Sequence, residues 1–229
     1  EHLLNALILN GATKHGARFF GMLIALPIVA LNPFDLFGTD GILAIASMLY
    51  LLGAVAMAKV STVSSGVTRS DYSIFRNMLE GLVYIYTHRT IALFIVLVAF
   101  HCSLVMSFEA LLPIFSREEL GATDVSLFGY LVMGFGAGSL VGMALISGVR
   151  NEKRKGQILM LTGIASGFTP ILLVLSDTSV IAVIMVAAMG ASQATFMAIT
   201  NMYVQTVAPD RLRSRISSLY VMHAGGVMA

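Results

Sequence analysis

Of the 229 residues, 57% are hydrophobic and only 11% are charged, for a formal net charge of +2. A soluble domain carries roughly 25% charged residues, so a water-exposed surface of this size is excluded, and disorder, which needs low hydrophobicity and high charge, is excluded with it. A single cysteine, Cys102, rules out a disulfide scaffold. The small positive charge gives no footing for nucleic acid, and what remains is an all-α polytopic membrane helix bundle in contact with lipid.

In chain order, apolar runs long enough to cross a bilayer cover about 3–31, 41–58, 91–116, 125–149, 157–176 and 179–207. A spanning helix needs roughly 20 such residues. A seventh run starts near 214 and is cut off. Barrel strands would be about 10 residues long and strictly alternating, and these runs are neither. The chain starts on Glu1 with no cleavable leader and is still apolar at its end. The expectation is therefore an internal piece of a longer membrane protein.

The connections carry the topology. Residues 32–40 hold two acids and no base, 117–124 hold Arg117 among three acids, and the turn at Asp177 has no base. The alternate connections, 59–90, 150–156 and 208–215, hold eleven of the fourteen bases. Basic loops stay cytoplasmic, so every connection agrees with one alternating topology that starts on the cytoplasmic side. Within 59–90, residues 60–73 read as a linker rich in Ser, Thr and Gly. Phe75, Met78, Leu79, Leu82 and Tyr86 then recur at helical spacing, opposite Arg76, Asn77, Glu80 and Thr87. That pattern predicts a short helix, lying on the inner membrane surface or packed on neighbouring loops. Spans before 59 form one bundle and spans after 90 another.

Few polar groups interrupt the runs, and each is a candidate. Lys14 and Arg18 are four apart and share a helix face, with Lys14 roughly 16 Å in from Leu3 at 1.5 Å per residue. A base at mid-membrane costs roughly 2.5–3.5 kcal/mol, so the pair needs an anion, a carboxylate or water; a helix that starts later, with both bases snorkelling, is the alternative. Glu109 is the one carboxylate well inside an apolar run, and reads either as a proton-sensitive group or as an interfacial acid at a pore rim. His101 lies eight residues earlier in the same run, where a lone His reads first as a hydrogen-bonded packing residue and second as a site. Gln193, Asn201 and Gln205 form a polar stripe that suits cavity lining or interhelix hydrogen bonds. Gly134, Gly138 and Gly142 repeat every four residues and predict a close helix–helix seam. No P-loop, HExxH, GxSxG or His/Cys cluster occurs, so no catalytic group, metal site or cofactor is expected.

Four segments in order resemble the major facilitator superfamily, in its transmembrane secretion effector branch, which includes enterobactin-exporter-like permeases. They are Leu4-Asn5-Ala6 with Ala17-Arg18-Phe19-Phe20-Gly21; Glu80-Gly81-Leu82-Val83-Tyr84-Ile85; Leu111-Leu112-Pro113-Ile114-Phe115 with Leu120-Gly121-Ala122; and Gln205 through Pro209-Asp210-Arg211-Leu212-Arg213-Ser214-Arg215. The resemblance implies that the chain runs from helix five to the start of helix eleven of twelve. Residues 1–58 would be the last two helices of the N-terminal bundle, 59–90 the cytoplasmic inter-domain linker, and 91–229 a truncated C-terminal bundle. It further implies a monomeric, non-enzymatic secondary transporter of the bacterial inner membrane, working by alternating access. Such a transporter would export small amphipathic molecules, drug-like or siderophore-like, with protons as the coupling ion. Lys14, Arg18, His101, Glu109 and Gln193 would then serve substrate or coupling. Arg150, Lys153, Arg154, Asp210, Arg213 and Arg215 would form cytoplasmic gating contacts. Where the family has Gly-Pro, this chain has Gly21-Met22, and Ala25 and Leu26 replace the glycines that follow. A non-transporting membrane module on the same fold is the competing reading.

Overall fold

The computed structural model describes residues 2–31, 39–60, 74–123 and 125–226. Most of the acidic 32–40 connection, all but Val60 of the 60–73 linker, and Asp124 lie outside the described residues. The chain folds as α1 (His2–Leu31), α2 (Thr39–Ala58), α3 (Ile74–Thr87), α4 (Arg89–Leu104), a 3-10 stretch (Met106–Leu111), α5 (Leu112–Glu118), α6 (Ser126–Ser147), α7 (Glu152–Val174), α8 (Ser179–Val207) and α9 (Arg213–Gly226). Among the described residues there is no strand.

Among the described residues, four segments are long and apolar enough to cross a membrane: Arg89–Glu118, Ser126–Ser147, Glu152–Val174 and Ser179–Val207. In α2 the described apolar stretch is the shorter Leu43–Ala58, and α1 is a 30-residue helix, about 45 Å at 1.5 Å per residue. Large apolar side chains face outward along these helices. Met160, Leu161, Ile164, Phe168 and Ile171 on α7 are all more than half exposed, which water does not tolerate and acyl chains do. The chain is a multi-pass membrane protein.

Local chemistry sets the helix ends. Asn151 caps α7, its Oδ1 accepting the backbone N–H of Lys153 at 2.9 Å and of Arg154 at 3.4 Å. Thr178 caps α8 by accepting the N–H of Ile181. Each such cap contributes about 1 kcal/mol. After α5 the chain turns through Gly121, whose φ of +64° favours glycine.

At the centre, α6 lies between α8 and α1. The α6–α8 seam is built on Gly134, Gly138 and Gly142. A Cβ on Gly134 would stand 3.1 Å from the Val183 carbonyl oxygen, and one on Gly142 2.5 Å from that of Ala191. A Cβ on Gly138 would overlap the Ala187 carbonyl, and one on Gly190 that of Phe135. Ser139, fully buried, donates to the Gly190 carbonyl oxygen at 3.2 Å across the same seam. Gly136 faces the other way, where a Cβ would stand 2.7 Å from the Phe19 backbone nitrogen on α1.

The amphipathic helix α3 packs on α4 and α9. The side that packs carries Gly81 and Ile85, with Ile85 fully buried. Gly81 lets Leu219 of α9 come close. Of the face picked out by spacing, Met78, Leu79 and Tyr86 instead point outward and Leu82 is half-buried. The helix therefore has two apolar sides, and a single-face reading of its periodicity finds only the outer one.

Candidate functional site

Arg18 projects from α1 and Glu109 from the 3-10 stretch, and they meet in an ion pair of 2.8 Å. The guanidinium also lies over the Phe135 ring of α6, 5.3 Å from its centroid. Such a contact adds roughly 0.5–2 kcal/mol, more as water is removed.

The position of Glu109 follows from Pro113. A proline has no N–H to give to the carbonyl four residues back, and its ring crowds that carbonyl. The carbonyl in question is that of Glu109, and it accepts from the Leu112 N–H instead, in a 3-10 bond. The apolar limb Arg89–Glu118 is thus broken in its hydrogen-bond pattern at Met106–Leu111. Glu109 sits in that break. A short 3-10 interruption of this kind often marks a hinge.

Arg18 borders two hollows. One, of about 180 Å³, is lined by Arg18, Glu109, Leu112, Phe128, Val132 and Phe135. The other, of about 320 Å³, runs between α1, α8 and α9, with Asn10, Lys14, His15, Asn201, Met197 and Tyr220 among its lining. Lys14 has no ion pair and no side-chain hydrogen bond among the described residues. The structure brings Lys14, Arg18 and Glu109 to one region.

His101 and Gln193 are elsewhere. His101 is buried inside the α4–α7–α8 packing, 3.4 Å from the Ser166 hydroxyl and against the Phe196 ring. Gln193 is 1% exposed, and neither end of its amide has a partner among the described residues. Neither residue borders the two hollows. The polar stripe on α8 therefore divides. Asn201 lines the larger hollow and accepts from Gln205 at 2.9 Å, while Gln193 is interior.

At one end of the bundle the charged connections converge. Glu80 of α3 accepts from Arg215 at 2.5 Å and pairs with Arg211 at 3.3 Å. Arg213 pairs with Asp210 at 2.7 Å and donates from Nε to the Gln205 carbonyl oxygen. Glu152 holds Lys155 at 2.6 Å and accepts a long hydrogen bond from Tyr203. Arg150, Lys153 and Arg154 make no side-chain pair among the described residues. The acids Glu80 and Glu152 are the members that loop-by-loop counting of bases passes over. The signal for Glu80 was its place as one of two acids, with Asp71, in a connection that holds four bases.

No group of three or more His, Cys, Asp or Glu that could hold a metal occurs among the described residues. No curated protein and no solved structure gave a match. The family described as transmembrane secretion effector matches residues 2–229, nearly the whole chain. A helical bundle with segments apolar enough to cross a membrane and a family match of that extent agree, and the chain belongs to the transmembrane secretion effectors of the major facilitator superfamily, a family of membrane transporters.

Proposed function

We propose that this chain is part of a secondary active transporter that works by alternating access and exports small amphipathic molecules across the bacterial inner membrane. The observation that supports this most is the Arg18–Glu109 pair. It ties α1, on the N-terminal side of the linker, to the broken limb on its C-terminal side, and its Arg18 borders both hollows. Part-exposed ion pairs are weak sources of stability, and ionisable groups inside membranes mark substrate or ion pathways.

The chemistry of a cycle follows from the pair. Loss of the Glu109 charge would release Arg18. That event would free α1 from the hinge. Contacts at the basic end, through Asp210, Arg213 and Arg215 with Glu80, would hold one of the two states. Arg150, Lys153 and Arg154 remain available to pair in the other. The outward apolar side of α3 suits a helix resting on the inner leaflet.

The test is efflux of the neutral amphipathic fluorophore N-phenylnaphthylamine from energised vesicles carrying the full-length protein. Arg18→Ala and Glu109→Gln should each slow efflux at least about tenfold, the effect of losing about 1.4 kcal/mol of charge-assisted hydrogen bonding. Dissipating the proton gradient should stop it. Wild-type rates in both variants would remove the pair from the mechanism.

A further inference from the structure

The two bases of α1 differ in what surrounds them. Arg18 is neutralised by Glu109 and stacked on Phe135. Lys14, one turn away on the same face, has no anionic partner among the described residues and opens on the 320 Å³ hollow. Among the described residues no carboxylate lines that hollow; Glu109 lines only the smaller one beside it. Its other polar groups are Arg18, the Asn10 amide one turn from Lys14, and the side chains of Asn201, Tyr220 and His15. Asn201 already accepts from Gln205 through Oδ1, which leaves its N–H groups to donate. The Tyr220 hydroxyl donates to the Met197 carbonyl oxygen. His15 Nδ1 is buried without a partner. The rest of the wall is hydrocarbon and thioether, from Met106, Met143, Met197 and Val221. Methionine walls adapt to ligands of differing shape.

An ammonium set in an apolar wall is stabilised by one counter-charge, and two would leave an excess. We infer that the larger hollow binds an amphipathic monoanion, its carboxylate on Lys14 with Asn201 as second donor, and its apolar body against Met143, Met197 and Val221. The proposal rests on the transport reading only for the claim that this ligand is cargo. Because Arg18 stays paired with Glu109, Lys14 alone sets the charge preference.

Binding of 1-naphthylacetate and of its uncharged isostere 1-naphthylacetamide to the detergent-solubilised full-length protein tests this. The wild-type protein should bind the acid at least about tenfold more tightly than the amide, the scale of one charge-assisted contact. Lys14→Arg should keep the preference. Lys14→Met and Lys14→Gln should abolish it while amide affinity holds, which also shows that the site is intact. Equal affinities in the wild-type protein, or a preference that survives loss of Lys14, would overturn the proposal. Acid-selective binding without efflux would retire the transport reading and leave this site standing. Efflux of N-phenylnaphthylamine without acid selectivity would do the reverse.

Discussion

Arg18 and Glu109 depend on each other for their place in the membrane. With Glu109→Gln alone, Arg18 keeps its charge and loses its counter-charge, at a cost of about 1 kcal/mol for a part-exposed pair. With Arg18→Gln as well, no charge remains to be matched. The double variant should therefore melt at a higher temperature in detergent than the Glu109→Gln single variant, and a double-mutant cycle on melting should show coupling. Both charges were legible in the sequence, because charged residues inside apolar runs are rare enough to stand out. Their pairing was not, since 91 positions separate them and spacing arguments reach only a few helical turns. His101 and Gln193 stood out for the same reason as Arg18. Polarity alone does not tell a group that lines a hollow from one enclosed between helices.

The element scale shows what glycine and proline decide. The repeat at Gly134, Gly138 and Gly142 announced a close seam, but not that α8 would be the helix on the other side. Gly138→Ala puts a methyl group into the Ala187 carbonyl, and backbone on both sides leaves nothing flexible to give. Overpacking of this sort costs about 1–3 kcal/mol, so the variant should lose several degrees of melting temperature. Gly148→Ala, where a Cβ meets nothing within 4 Å, is the control and should be neutral. Pro113 was visible in the sequence within a run read as one helix over 91–116. Its consequence, the 3-10 break that seats Glu109, is a matter of local backbone chemistry that hydropathy averages away. Pro113→Ala restores an N–H donor to the Glu109 carbonyl and should draw the stretch toward a regular helix. Lengthening of the Arg18–Glu109 pair, measured by double electron–electron resonance between labels on α1 and α5, checks this.

Across the whole molecule, the succession of apolar runs read out the long helices in order. The docking of α3 escaped it, because one amphipathic helix with two apolar sides offers two equally good faces to a periodicity argument. Glu80 holds α3 against α9 through Arg211 and Arg215. These groups are partly exposed, and exposed pairs contribute about 0–1 kcal/mol each. Glu80→Gln should therefore raise the opening of this contact by about fivefold, the effect of 1 kcal/mol. Limited proteolysis between residues 59 and 74 should speed up by a similar factor, with the spanning helices left intact.

One further consequence comes from the contrast between the two sides of α6. Toward α8 it meets backbone at every glycine of the seam. Toward α1 it meets backbone only at Gly136, midway along, while Gly129 faces the tip of Leu26 and Gly11 of α1 faces the tip of Met143. A lever with one hard bearing at its middle and yielding pads near its ends tilts without sliding. In a rocking cycle, α6 and α8 would move as one body, and the swing against α1 would turn about the level of Gly136, next to the ring on which Arg18 rests.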